Sequence, residues 1–177
     1  MMGVLPLFSA AAGVLILLVI VRAAMHKAMD FGQFQGFVAD YRLLPETAVA
    51  PVAWAALVGE CLLALLIVWP AGRSLGLALA ACLFAAYGAA IAINLRRGHR
   101  HIECGCGGTP QVLSESLIGR NAALIVIAVW AASAAPRSLT VAATLVVIGA
   151  GVLLLALYCL FEQLNANRMY LKNRSTP

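Results

Sequence analysis

Five stretches of mostly apolar residues run through this chain, at 4–24, 50–69, 75–95, 117–135 and 139–161. A bilayer's hydrocarbon core is about 30 Å thick, and a helix crosses it in about 20 residues. Backbone N–H and C=O groups find no water there, so each spanning segment must satisfy them internally or across a closed barrel. The runs are continuous rather than alternating, which predicts helices and not barrel strands. The expected fold class is therefore all-α, a polytopic membrane helix bundle of about five transmembrane helices. Composition agrees, with 63% hydrophobic and 11% charged residues, where soluble domains carry about 25% charged. A length of 177 residues allows one compact unit, so 1–177 is read as a single integral membrane domain.

The apolar run from Val4 to Val21 has no basic residues before it and exceeds the roughly 7–15 residues of a signal-peptide core. It is expected to stay as the first membrane helix. Tight turns join the second stretch to the third (Pro70 to Ser74) and the fourth to the fifth (Pro136 to Ser138). Two longer connections remain, 25–49 and 96–116. The first contains FGQFQGFVADYRLLP, whose spaced aromatics suit an amphipathic segment at the membrane interface. The third stretch contains ALAACLFAAYGAAIA, the small-residue composition that close helix packing in lipid requires.

Five spans place both long connections and the C-terminal tail on one side. Ten of the twelve lysines and arginines fall there, with only Arg73 and Arg137 opposite. The excess records topology and headgroup contact, and by itself makes the long-loop side cytoplasmic. The formal charge of +5 also raises nucleic acid as a partner, but no basic run is interleaved with aromatics, so none is expected.

The unusual polar residues gather toward that same side: His26, Lys27, Asn94, Arg120, Asn121, Cys159 and Glu162. Glu60 falls about ten residues into the second stretch, roughly mid-bilayer at 1.5 Å per residue. An acid there is costly unless it faces the bundle interior with a partner, for which Lys27 and Asn94 are the candidates. It serves as a structural ion pair or hydrogen bond, or as a proton carrier.

Of five cysteines, Cys61 and Cys82 lie inside apolar stretches, where a thiol is a small packing group. Cys159 is nearer the interface. Cys104 and Cys106 differ, standing in the loop HRHIECGCGG among glycines that let the backbone turn. A thiol reacts as its thiolate, which the nearby cations His99, Arg100 and His101 favour. A Cys-Gly-Cys pair closes a small, strained ring, and strained, exposed disulfides are the labile ones. Three readings stay open on the residues alone. They are a redox pair, a zinc or copper(I) site with the two histidines, and a plain turn. No nucleotide, flavin or haem motif is present, so no cofactor is expected.

The chain resembles the methylamine utilisation protein E (MauE) family, relatives of the DoxX-like membrane proteins. The resemblance is carried by Lys27 with Asp30, Phe34, Tyr41 and the LLP of Leu43 to Pro45, and by Gly59 with Glu60. INLRRG from Ile93 to Gly98, CGCGG from Cys104 to Gly108, and Arg120 with Asn121 complete it. The lysine and the membrane glutamate are shared widely among DoxX-like proteins, whereas CGCGG followed by RN is more specific. Nothing diagnostic follows Ala135. The resemblance implies a bacterial inner-membrane protein that helps process, export or oxidise the small subunit of methylamine dehydrogenase. That dehydrogenase is a periplasmic quinoprotein whose small subunit is rich in disulfides. The implied partner is a membrane-anchored, thioredoxin-like (MauD-like) protein. Cys104 and Cys106 would exchange disulfides, with Lys27, Glu60, Asn94, Arg120 and Asn121 in support. Periplasmic chemistry wants the CGCGG loop outside, against the charge count. A soft-metal binding or transport protein and a non-catalytic membrane scaffold are the competing functions.

Overall fold

The computed structural model describes residues 4–99, 102–105, 111–134 and 139–174. Its helices are α1 (Val4–Met29), α2 (Phe31–Asp40), α3 (Glu46–Val68), α4 (Arg73–Arg96), α5 (Glu115–Ser133) and α6 (Val141–Arg174). All but α2 are long and apolar enough to cross a membrane, so the protein is a multi-pass membrane protein. α2 is the amphipathic segment expected between the first two spans. Among the described residues, β-pairing is confined to an isolated antiparallel bridge between Glu103 and Val112.

Two helices outrun their apolar stretches. α1 continues past residue 24 to Met29, with His26 and Lys27 in its last turn. α6 continues past 161 to Arg174. Hydrophobicity marks the part of a helix that meets lipid, while residues such as Glu162, Gln163 and Leu164 keep good helix propensity beyond it.

The bundle is inside-out relative to a soluble protein. Leu65, Val126 and Leu145 each expose about two thirds of their surface, whereas Lys27, Glu60, Asn94, Asn121 and Glu162 are buried. Lipid supplies the apolar surroundings, so helices associate through close packing and internal polar contacts. α1 lies at the centre, packed on α3, α5 and α6, while α4 packs on α3 and most extensively on α5. Ala12, Leu15, Ile16, Val19 and Ile20 of α1 meet Leu77, Ala80, Ala81 and Phe84 of α4 and Leu124, Ala128 and Ala131 of α5 in one core.

At one end Arg73, opening α4, donates from Nη2 to the carbonyl of Ser9 in α1 at 3.4 Å. This puts the tight turn before α4 beside the start of α1, as five spans require. At the other end three devices set the loops. Asp30 caps α2, its side chain accepting from the Gln33 N–H at 2.9 Å. Arg42 takes a left-handed φ of 47° and turns the chain into α3 after Pro45. α4 closes in a Schellman motif: His99 N–H donates to Asn94 C=O, Gly98 N–H donates to Leu95 C=O, and Gly98 sits at φ 81°.

Lys27 Nζ donates to Glu60 Oε1 at 2.7 Å and ties the end of α1 to the middle of α3, both side chains almost wholly buried. Removing one partner of a buried pair costs about 3–5 kcal/mol, while replacing both with neutral groups of similar size is often nearly neutral. Lys27→Met and Glu60→Gln should therefore each lower the unfolding midpoint in detergent markedly. Lys27→Met combined with Glu60→Gln should recover much of the loss. Additive effects in this double-variant cycle would show the pair to be uncoupled. Topology gives a second check. Reporters inserted at 70–72 and at 97–99 should report opposite sides of the membrane. The same side for both would remove α4 as a span.

Candidate functional site

Two buried carboxylates organise the end of the bundle that carries the long connections. Glu60 is about 21 Å along α3 from Glu46, at 1.5 Å per residue. Its Oε1 accepts from Lys27 Nζ and from the Tyr87 hydroxyl, each at 2.7 Å. Its Oε2 is buried without a hydrogen-bond partner among the described residues. Lys27 also lies over two aromatic faces, 5.1 Å from the centroid of Phe34 on α2 and 5.4 Å from that of Tyr87 on α4. Those rings favour the charged lysine where water is absent.

The second carboxylate is Glu162 on α6. Its Oε1 accepts from Arg120 Nη1 and the Tyr158 hydroxyl, each at 2.8 Å, and its Oε2 from Arg22 Nη1 at 2.7 Å. Three helices, α1, α5 and α6, thus meet on one side chain that is 3% exposed. The three ionised groups sum to one positive charge.

Cys104 lies between these clusters. Its N–H donates to Gln111 C=O at 2.9 Å, and its own C=O accepts from the Tyr41 hydroxyl at 3.0 Å. Gln111 in turn donates from Nε2 to the Glu162 carbonyl at 3.1 Å. The loop is thus anchored to α6 and to the end of α2. The Cys104 side chain, 9% exposed, packs with Ile91, Leu113 and Leu117. Arg120 Nη2 stands 3.9 Å from its sulfur. Gly105 has φ 65°, and a Cβ there would meet Phe37 Cβ at 2.9 Å, so α2 and the cysteine loop approach to a distance only glycine allows.

A cavity of about 230 Å³ opens between α2, α3, α4 and this loop, with Lys27, Tyr41, Tyr87 and Cys104 among its walls. It joins the Lys27–Glu60 pair to the cysteine, a proximity the sequence does not reveal.

Of the residues singled out from the sequence, Lys27, Glu60, Arg120 and Cys104 come together around this space. Asn94 and Asn121 are fully buried nearby but bond back along their own helices, to Ala90 C=O and Leu117 C=O. Asn94 Oδ1 also meets His99 Nδ1 at 3.2 Å, so it holds the end of α4 and not Glu60. Cys106, Arg100 and His101 lie outside the described residues. Among the described residues no three His, Cys, Asp or Glu side chains are grouped to hold a metal. Cys61 and Cys82 face outward from the bundle rather than packing inside it. Cys159 on α6 is half-buried.

Sequence reasoning missed Tyr87, Tyr158 and the role of Arg22. Tyr158 could have been found from its place four residues before Glu162 on one helix face. Arg22 was counted as a topology signal, although an arginine inside a helix that runs on to Met29 must find a buried anion. Tyr87 gave no signal, because its partner lies on another helix.

The family model described as methylamine utilisation protein MauE matches residues 5–134 of the chain. A methylamine utilization protein MauE of Paracoccus denitrificans is 36% identical over 159 residues, which cover 86% of this chain and 85% of that protein. One from Methylorubrum extorquens is 33% identical over 138 residues, or 75% of this chain and 74% of that protein. One from Methylophilus methylotrophus is 40% identical over 113 residues, or 62% of this chain, and the match spans 57% of that protein's own length. No solved structure matches. The matched family region contains Lys27, Glu60, Asn94, Cys104, Cys106, Arg120 and Asn121. On a family match over most of its length and relatives aligned across it, the chain belongs to the methylamine utilisation protein MauE family.

Proposed function

We propose that this protein is a maturation factor of the bacterial inner membrane acting on the small subunit of methylamine dehydrogenase. It works by thiol–disulfide exchange at Cys104 and Cys106 with a membrane-anchored, thioredoxin-like partner. Membership of a methylamine utilisation family supports the setting. The observation that carries the chemistry is Arg120 Nη2 against Cys104 Sγ at 3.9 Å. A guanidinium beside a sulfur stabilises the thiolate, the form in which cysteine attacks or leaves. Glu162 fixes that guanidinium through a second nitrogen, so the charge is aimed before any reaction begins.

The positions suggest an order of events. Cys104 is buried beside the arginine, which suits it as the sulfur that leaves as thiolate. Cys106, two residues on, is then the sulfur that a partner thiolate attacks. The Cys104–Cys106 bond breaks, a bond from Cys106 to the partner forms, and the electron pair stays on Cys104 beside Arg120. A second partner thiolate then attacks its own sulfur in the mixed disulfide. The partner leaves oxidised, and the Cys104–Cys106 pair remains as a dithiol. The partner passes its disulfide to the client subunit.

Cys104→Ser should accumulate a covalent complex through Cys106 with a thioredoxin-like partner whose second cysteine is changed to serine, once diamide oxidises the two remaining thiols, seen as a reducible band on non-reducing gels. Cys106→Ser should accumulate far less. If neither variant traps a partner and the double serine variant still matures the dehydrogenase, the exchange reading fails. Arg120→Gln should slow alkylation of Cys104 by a small maleimide in the reduced protein by about three- to tenfold, with Arg120→Lys intermediate. An unchanged rate would show that the guanidinium does not act on the sulfur.

A further inference from the structure

Exchange with a partner leaves the cysteine pair reduced, so a cycle of this kind needs an electron acceptor. The cavity beside Cys104 has three properties that define one. Its walls are almost wholly apolar and rich in rings, with Phe34, Phe37, Tyr41 and Tyr87 around it. Its rim includes Leu44 and Val52, which are 37% and 40% exposed on the outer surface where α3 begins, so it is reached from the lipid. At about 230 Å³ it is smaller than the roughly 300–1,000 Å³ of pockets that enclose drug-sized ligands. One substituted ring fits, with its tail left in the membrane. A flavin or a nicotinamide dinucleotide does not.

The polar groups are equally selective. Lys27 is 2% exposed and lines the cavity. Its ammonium has three donors, and Glu60 takes one. A carbonyl oxygen in the cavity would accept another, and the cation would stabilise negative charge that develops on that oxygen. A lipid acyl chain offers nothing to this donor. Glu60 adds a buried oxygen, Oε2, without a partner among the described residues, directly behind Lys27.

The geometry points to a membrane quinone, its ring held in this cavity between Lys27 and Cys104, as the acceptor that reoxidises the cysteine pair. This deepens the thiol-exchange reading and rests on it. The balance is a two-electron one. The S–H bonds of Cys104 and Cys106 are lost, an S–S bond forms between them, and two electrons pass to the ring. Two protons, equal in number to those the thiols release, end on the two ring oxygens, giving the quinol. Cys104 and Lys27 are the residues that touch the acceptor, and Tyr87 and Glu60 position Lys27.

The test uses the full chain, reduced and reconstituted in quinone-free nanodiscs, with decylubiquinone as the probe. Wild-type protein should form one quinol per cysteine pair, and an azido-substituted benzoquinone should cross-link to residues of α2 and of the first half of α3. Val52→Trp at the rim and Ala56→Leu in the wall should each weaken binding by about tenfold, equivalent to 1.4 kcal/mol. Cys104→Ser should form no quinol. Cross-linking elsewhere, or wild-type affinity in both cavity variants, overturns the inference, as does labelling that excess phospholipid suppresses. If the Cys104→Ser variant still traps the thioredoxin-like partner while reduced protein forms no quinol, the quinone site alone falls. If neither trapping nor quinol formation is seen, the exchange reading beneath it falls as well.

Discussion

A carboxylate inside a membrane protein has no water to solvate it, and whatever surrounds it must supply the missing hydrogen bonds and countercharge. Glu60 and Glu162 solve this problem for the whole bundle. Glu60 draws the end of α1 and the middle of α4 onto α3, through Lys27 and Tyr87. Glu162 draws α1 and α5 onto α6, through Arg22 and Arg120. Because lipid gives no hydrophobic incentive for helices to associate, these directional contacts have more to decide here than they would in water. α1 takes part in both, five residues apart along its length, which accounts for its central place.

The two carboxylates are not equivalent. Glu162 is hydrogen-bonded at both oxygens by three donors from three residues. It is a junction of three helices with both oxygens engaged. Among the described residues Glu60 is bonded at Oε1 alone, and both of its donors belong to residues that line the cavity. The asymmetry distinguishes the two, although both look alike as buried glutamates.

The spans were legible in the sequence because lipid imposes a length and a continuous apolar character that few other settings produce. Glu60 and Lys27 could be paired from sequence because both are anomalies in apolar surroundings on neighbouring spans, and few partners were available. The amphipathic α2 was readable from FGQFQGFVADYRLLP for the same reason. The ends of α1 and α6 were not, since a helix continues on backbone propensity after its apolar run stops. Asn94 was misjudged as a possible partner for Glu60. Its side chain is spent on Ala90 and His99, a local bond that competes with any tertiary one. The cavity was invisible because it depends on α2 folding back against α3 and α4, with Gly105 permitting the last approach.

The placement of Cys104 follows from charge as well as from shape. Arg22 and Arg120 meet on Glu162, Arg22 at the partly exposed edge and Arg120 more deeply buried. Cys104 Sγ stands 3.9 Å from Arg120, close enough for a guanidinium to stabilise a thiolate. Under the proposed exchange, the reduced loop would gain stability from an arginine that α5 presents and Glu162 of α6 holds. Those helices are fixed by Glu162 whether or not the sulfur is charged. The setting of Cys104 is thus prepared by the bundle as well as by its own loop.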